Sequence, residues 1–114
     1  NRLRARAFAQ YRRDNFVEAE ALYRESLGFS TWDVASVEGM ARSTARLGRF
    51  PEAIAWAELA VERNPRSAAT YRVLGDVWRQ AGHDDQALRV YRRGLRRHPN
   101  DRWLRQRIRE LSAR

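Results

Sequence analysis

A chain of 114 residues, 43% of them hydrophobic, is long enough to bury a core and too apolar to be a disordered segment. It has no cysteine, which excludes disulfides, thiolate metal sites and a cysteine nucleophile, and no apolar run approaches the ~20 residues of a membrane-spanning helix. All 23 basic residues are arginine, and the formal net charge is +9.

Taken in chain order, the hydrophobic pattern and its punctuation predict seven helices. The first spans about Arg2 to Arg13 and the second about Asn15 to Leu27, with Gly28 placed to leave the helix at positive φ. Asp33 is placed to cap a third helix over Val34 to Leu47, which Gly48 ends. Pro51 suits the first turn of a fourth helix ending near Arg63, where Pro65 prevents continuation. Ser67 caps a fifth helix over Ala68 to Ala81, and Gly82 ends it. Asp84 caps a sixth over Asp85 to Arg97, closed by Pro99. Asp101 caps the last, over Arg102 to Ala113, whose Leu104, Ile108 and Leu111 fall on one face. Asn1 reads as an internal residue rather than a natural start, because it is not Met and sits inside a helical pattern. The chain therefore reads as a fragment of a longer protein.

The helices repeat. Asp14-x-Phe16-x-x-Ala19-x-x-x-Tyr23 returns as Gly48-x-Phe50-x-x-Ala53-x-x-x-Ala57 and again as Gly82-x-Asp84-x-x-Ala87-x-x-x-Tyr91, each copy 34 residues after the last. A fixed period of this size is the signature of stacked helical units. Small residues at Ala41, Ala53, Ala60, Gly75, Ala87 and Gly94 let helices approach closely. Leu22, Tyr23, Leu27, Trp56, Val61, Leu74, Trp78, Leu88, Tyr91 and Leu95 fill the remaining core.

This pattern resembles the tetratricopeptide repeat, whose signature is W-x2-L-G-x2-Y…A-x3-F…P. The third copy matches best, with Tyr71, Leu74, Gly75, Trp78, Gly82, Ala87, Tyr91 and Pro99. The second offers Val37, Met40, Ala41, Thr44, Ala53, Ala60 and Pro65. The first is weakest: Arg6 and Gln10 stand at apolar positions and Thr31 replaces the closing proline. The resemblance implies an all-α, right-handed superhelical solenoid of antiparallel helix pairs. Its repeats fall at about 1–33, 34–67 and 68–101, followed by a capping helix at about 102–113. It also implies a protein-interaction scaffold rather than an enzyme.

In this family the groove is lined by fixed positions of the first helix of each pair. The resemblance assigns to it Arg4, Phe8, Tyr11 and Arg12, then Glu38, Gly39, Arg42, Ala45 and Arg46, then Arg72, Val73, Asp76, Arg79 and Gln80. Six arginines against two acids suit an acidic or C-terminal-carboxylate peptide, with Phe8 and Tyr11 as an apolar anchor. The carboxylate clamp that grips chaperone tails is not expected. At its five positions this chain has Arg4, Phe8, Gly39, Ala69 and Val73, and only Arg4 is chemically similar.

A second candidate surface is electrostatic. Residues 68–114 hold 12 arginines and five acids, net +7, whereas the rest of the chain contributes +2. Arg89, Arg92, Arg93 and Arg96 share a helix face, and with Arg102, Arg105 and Arg109 they form a basic patch for nucleic acid, anionic lipid or an acidic partner. The bland alternative is a solvated face. The wholesale use of arginine over lysine is also what a GC-rich genome encodes, and points to a bacterial source. Self-association through an uncapped N-terminal end is a third option. Catalysis is not expected: His83 and His98 lie at helix ends without a nucleophile, and Asp84 and Asp85 beside His83 read as a capping turn rather than a metal site. No cofactor is implied. Absence of cysteine leaves both cytoplasm and periplasm open, and the cytoplasm is the preferred reading.

Overall fold

The computed structural model describes residues 2–30 and 33–113, so the expectation at Thr31 lies outside the described residues. Seven α-helices follow one another: α1 (Arg2–Arg12), α2 (Phe16–Phe29), α3 (Val34–Arg46), α4 (Phe50–Arg63), α5 (Ala68–Gln80), α6 (Asp84–Arg97) and α7 (Arg102–Ser112). There is no strand among the described residues. The helices pack in sequence as α1/α2, α3/α4 and α5/α6 pairs, and α7 lies against α6. Across pairs, α3 touches both α1 and α5, so α1, α3 and α5 form one layer of an all-α solenoid measuring 39 × 26 × 22 Å.

The period is visible in the packing. Ala19, Ala53 and Ala87 are each fully buried where second and first helices meet. Gly75 lies under the Tyr91 ring and Gly39 under the Tyr23 ring, so closely that neither site has room for a Cβ. At Gly94 an added Cβ would meet Tyr71 Cβ at 2.7 Å and Leu104 Cδ1 at 3.1 Å. The small residues are therefore spacers for aromatic rings, and close packing makes added methyl groups costly.

Turns follow the same register, with local corrections. Gly48 and Gly82 take φ of 80° and 86°, as their glycine identity requires. Gly28 does not exit a helix: it lies inside α2, which runs one residue further, to Phe29. In the first pair the left-handed position falls instead on Asp14, φ 63°, one period before Gly48. Asp84 is helical, and His83 takes the flanking N-cap position. Asp33 and Ser67 sit at their N-cap positions without a side-chain cap bond, whereas Asp101 accepts from the Leu104 N–H at 2.9 Å.

Candidate functional site

The layer formed by α1, α3 and α5 carries the arginines singled out in the sequence, but four of the six are already paired. Arg4 donates to Asp33 at 2.9 Å and Arg72 to Asp101 at 2.9 Å. Arg79 lies 3.4 Å from Glu110, and Arg46 lies 3.9 Å from Asp14. Arg46 also sits over the Phe16 ring at 4.4 Å and the Tyr11 ring at 6.0 Å. Arg42 and Arg12 are exposed and have no carboxylate within 4 Å among the described residues. The lining is thus a ladder of ion pairs with two uncommitted cations, rather than six free arginines.

The aromatic pair separates as well. Tyr11 packs edge-on against Phe16 at 5.3 Å and is half-buried. Phe8 stays 47% exposed and has the Arg12 guanidinium over its ring at 5.9 Å. Arg4, Ala5 and Phe8 of α1, Tyr23 of α2, and Ala35 and Arg42 of α3 line an open pocket of about 390 Å³. Apolar walls with two guanidinium groups at the rim suit a side chain or chain end bearing a carboxylate.

Three expected groove positions are not exposed. Gly39, Ala45 and Val73 are buried, because the Tyr23 ring covers Gly39 and because Ala45 and Val73 join the central core cluster. The two acids of the set lie on α3 and α5 of the same layer. Glu38 is half-buried, burial pushes its carboxyl upward, and the Arg42 charge opposes that rise. Asp76 accepts the Tyr91 hydroxyl. Burial raises the Asp76 carboxyl, against that hydrogen bond and the nearby Arg107, Arg42 and Arg79. Burial and the Asp76 carboxylate push the Tyr91 hydroxyl well above the ordinary tyrosine range.

Sequence reasoning missed the contribution of α7. Arg107 sits over the Trp103 ring at 4.6 Å and donates to Glu110 at 2.8 Å, and Arg72 lies 5.5 Å from the same ring. Hydrogen bonding from Arg107 holds the Glu110 carboxyl below its usual range. These residues were legible in principle: continuing the 34-residue period past residue 101 makes α7 a further first helix, and Trp103 and Arg107 fall on its groove positions. Glu20 of α2 is largely covered and lies 3.2 Å from Arg49.

The basic patch is solvent-exposed at all seven positions, Arg89, Arg92, Arg93, Arg96, Arg102, Arg105 and Arg109, and none has a carboxylate within 4 Å among the described residues. It is not one face. Arg89 and Arg93 line a cleft of about 520 Å³ between α4 and α6, opposite Glu58 and Glu62. Arg92 and Arg96 instead flank Leu95, Pro99 and Ile108 towards α7. Among the described residues no group of three His, Asp or Glu side chains could hold a metal, and no helix is long and apolar enough to cross a membrane.

Comparison with known proteins places this architecture. No family model matches the sequence. The first TPR of Spaghetti (RPAP3), bound to the HSP90 peptide SRMEEVD, superposes with a TM-score of 0.83 at 21% identity, covering 97% of this chain and 88% of that one. The Sgt2 TPR domain of Aspergillus fumigatus gives a TM-score of 0.87 at 18% identity over 98% of this chain and 76% of that one. The chain is a domain of the tetratricopeptide-repeat fold. The Yersinia enterocolitica type III secretion translocator chaperone SycD shares the fold, with a TM-score of 0.82 at 15% identity over 98% of this chain and 85% of that one. In sequence, the tetratricopeptide-repeat chain is 29% identical over 94 residues to Hsp70-Hsp90 organizing protein 1 of Glycine max. That alignment takes in 82% of this chain and 16% of the length of the curated relative.

Proposed function

We propose that this tetratricopeptide-repeat domain is a protein-interaction module whose concave groove docks an extended segment of a partner protein. An acidic group of that segment pairs with Arg42, and an apolar side chain rests on Phe8. The observation that carries the reading is the pocket between α1 and α3. There Arg42 is uncommitted, Phe8 is exposed beside it, and Arg4 is held at the rim by Asp33. Arg12, Arg46, Arg72 and Arg79 extend the same basic lining, and Glu38 and Asp76 interrupt it. The superposed Spaghetti domain binds the acidic peptide SRMEEVD, which supports a peptide partner for this groove. It does not support the chaperone-tail clamp. Of the five clamp positions only Arg4 is cationic here, while Gly39 and Val73 are buried.

A pull-down from nuclease-treated extract of the source cells, comparing wild type with an Arg42→Ala/Phe8→Ala variant, tests the reading. Both side chains are exposed, so the variant is expected to fold, and a partner retained by wild type is expected to be lost. Equal recovery of that partner by both baits would move the contact out of the groove. The arginine patch of α6 and α7 would then be the next surface to change.

A further inference from the structure

One groove position departs from its own period in charge and in partner. Arg4 and Arg72 occupy equivalent places two periods apart, and each reaches forward 29 residues to the aspartate at the N-cap position of the next first helix. The intervening equivalent of these arginines is Glu38, and the intervening cap is Ser67. Both members of the ion pair have been exchanged. A glutamate without an ion pair replaces the arginine, and the residue at the equivalent N-cap position, Ser67, carries no charge.

Glu38 of α3 is half-buried and has no guanidinium within 4 Å among the described residues. The cation nearest along its own helix is Arg42, one turn on, which also lies within electrostatic reach of Asp76 of α5. A half-buried carboxylate without an ion pair costs desolvation free energy, and the Arg42 charge, one turn away, returns only part of it. Ala35 and Arg42, on either side of Glu38 along α3, line the pocket that holds Phe8. Resting on the docking reading above, we infer that Glu38 selects the partner segment by pairing with a basic side chain of it. The groove then recognises a segment of mixed sign, with an Arg or Lys at Glu38 next to the acidic group at Arg42, rather than a purely acidic one.

A random peptide display library, panned on the 114-residue chain and on Glu38→Gln, tests this. Glutamine keeps the shape and removes the charge. Wild type is expected to enrich peptides that combine a basic and an acidic residue at fixed spacing. E38Q is expected to keep the acidic preference and lose the basic one. A synthetic peptide chosen by wild type is expected to bind E38Q about tenfold more weakly, a difference of about 1.4 kcal/mol. E38R, which restores the charge found in the neighbouring repeats, is expected to reject that peptide. Enriched peptides without a basic residue, or equal affinity for wild type and E38Q, would overturn the role of Glu38 while leaving groove docking intact. If wild type enriches nothing, both readings fall together.

Discussion

Arg72 of α5 and Asp101, the residue that opens α7, meet at 2.9 Å, and the same carboxylate accepts the Leu104 N–H at 2.9 Å. One aspartate thus caps a helix and ties it to the first helix of the preceding pair. Arg4 and Asp33 repeat the tie two periods earlier, with Ser36 Oγ donating to Asp33 at 2.7 Å. Asp101→Ala removes the cap and the ion pair together and is expected to cost about 1–2 kcal/mol. Arg72→Ala leaves the cap intact and is expected to cost less than about 1 kcal/mol, because Arg72 is 39% exposed and such pairs are screened. Chemical denaturation of the two variants checks the order. A larger loss from Arg72→Ala would mean that its packing on Trp103 outweighs the cap.

The same carboxylates set an acid limit. At Asp33 and Asp101 partial desolvation pushes the carboxyl upward. Hydrogen bonding outweighs it at both, from Ser36 and Arg4 at the first and from Leu104 and Arg72 at the second, and leaves each below the ordinary aspartate value. A folded-state pKa below the unfolded one contributes stability that is present above the unfolded pKa and is lost as pH falls through the folded pKa. The melting temperature is therefore expected to fall from about pH 4 downward. Asp101→Asn is expected to start lower and to lose less over that interval. A parallel loss in both proteins would show that these carboxylates do not govern the acid transition.

Two glycines separate packing from helix propensity. Gly75 lies in α5 against the Tyr91 ring with no space for a methyl group, and Gly28 lies in α2 with nothing within 4 Å of an added Cβ. Gly75→Ala is expected to destabilise by about 1–3 kcal/mol through overpacking. Gly28→Ala is expected to stabilise by up to about 1 kcal/mol, because alanine has less unfolded-state freedom to lose. Thermal melts of the pair decide it: if both changes destabilise, Gly28 has a contact that its open surroundings do not account for.

Much of this is legible in the sequence because a 34-residue period fixes many positions at once. Ala19, Ala53 and Ala87 report one environment three times, so helix number and order follow from concordance rather than from any single residue. The failures have local causes. Gly28 reads as a helix exit by analogy with Gly48 and Gly82, but its period equivalents are Glu62 and Arg96; the equivalent of those two glycines is Asp14, which takes the left-handed turn, while α2 runs on past Gly28. The groove lining is legible as a set of positions but not as electrostatics. The partners of Arg4 and Arg72 lie 29 residues away in the next unit, and a within-helix reading does not pair them. Trp103 and Arg107 escape notice because the pattern of α7 is that of a cap with a polar back, although Trp103 and Glu110 of α7 meet Arg72 and Arg79 of α5.

Asp14 is an aspartate where its two counterparts are glycine, and its φ of 63° is tolerated by Asp more readily than by most residues but not without cost. Asp14→Gly is expected to stabilise by about 0.5–1 kcal/mol, offset in part by the larger unfolded-state entropy of glycine. The substitution also removes the ion pair with Arg46, but at 3.9 Å and exposed to solvent that pair contributes little. Asp14→Ala, which keeps the Cβ and removes the carboxylate, is expected to destabilise. If Asp14→Gly and Asp14→Ala destabilise equally, the carboxylate matters more than the backbone conformation.

The exposed arginines of α6 and α7 make an opposite kind of prediction. Arg92, Arg96, Arg105 and Arg109 have no ion pair among the described residues, and they belong to a half of the chain with net charge +7. Like charges on one surface repel, and repulsion grows as salt is removed. Replacing all four with Gln is expected to leave the fold intact and to raise the melting temperature at low salt. The gain is expected to shrink at high salt as screening removes the repulsion from wild type. Arg93 is left out because its guanidinium lies 5.6 Å from the centre of the Tyr71 ring, so its removal would also remove packing. A melting temperature that falls in the four-fold variant at every salt concentration would mean that these side chains cover apolar surface on α6 and α7. The patch would then be structural, and its charge no evidence for an anionic partner.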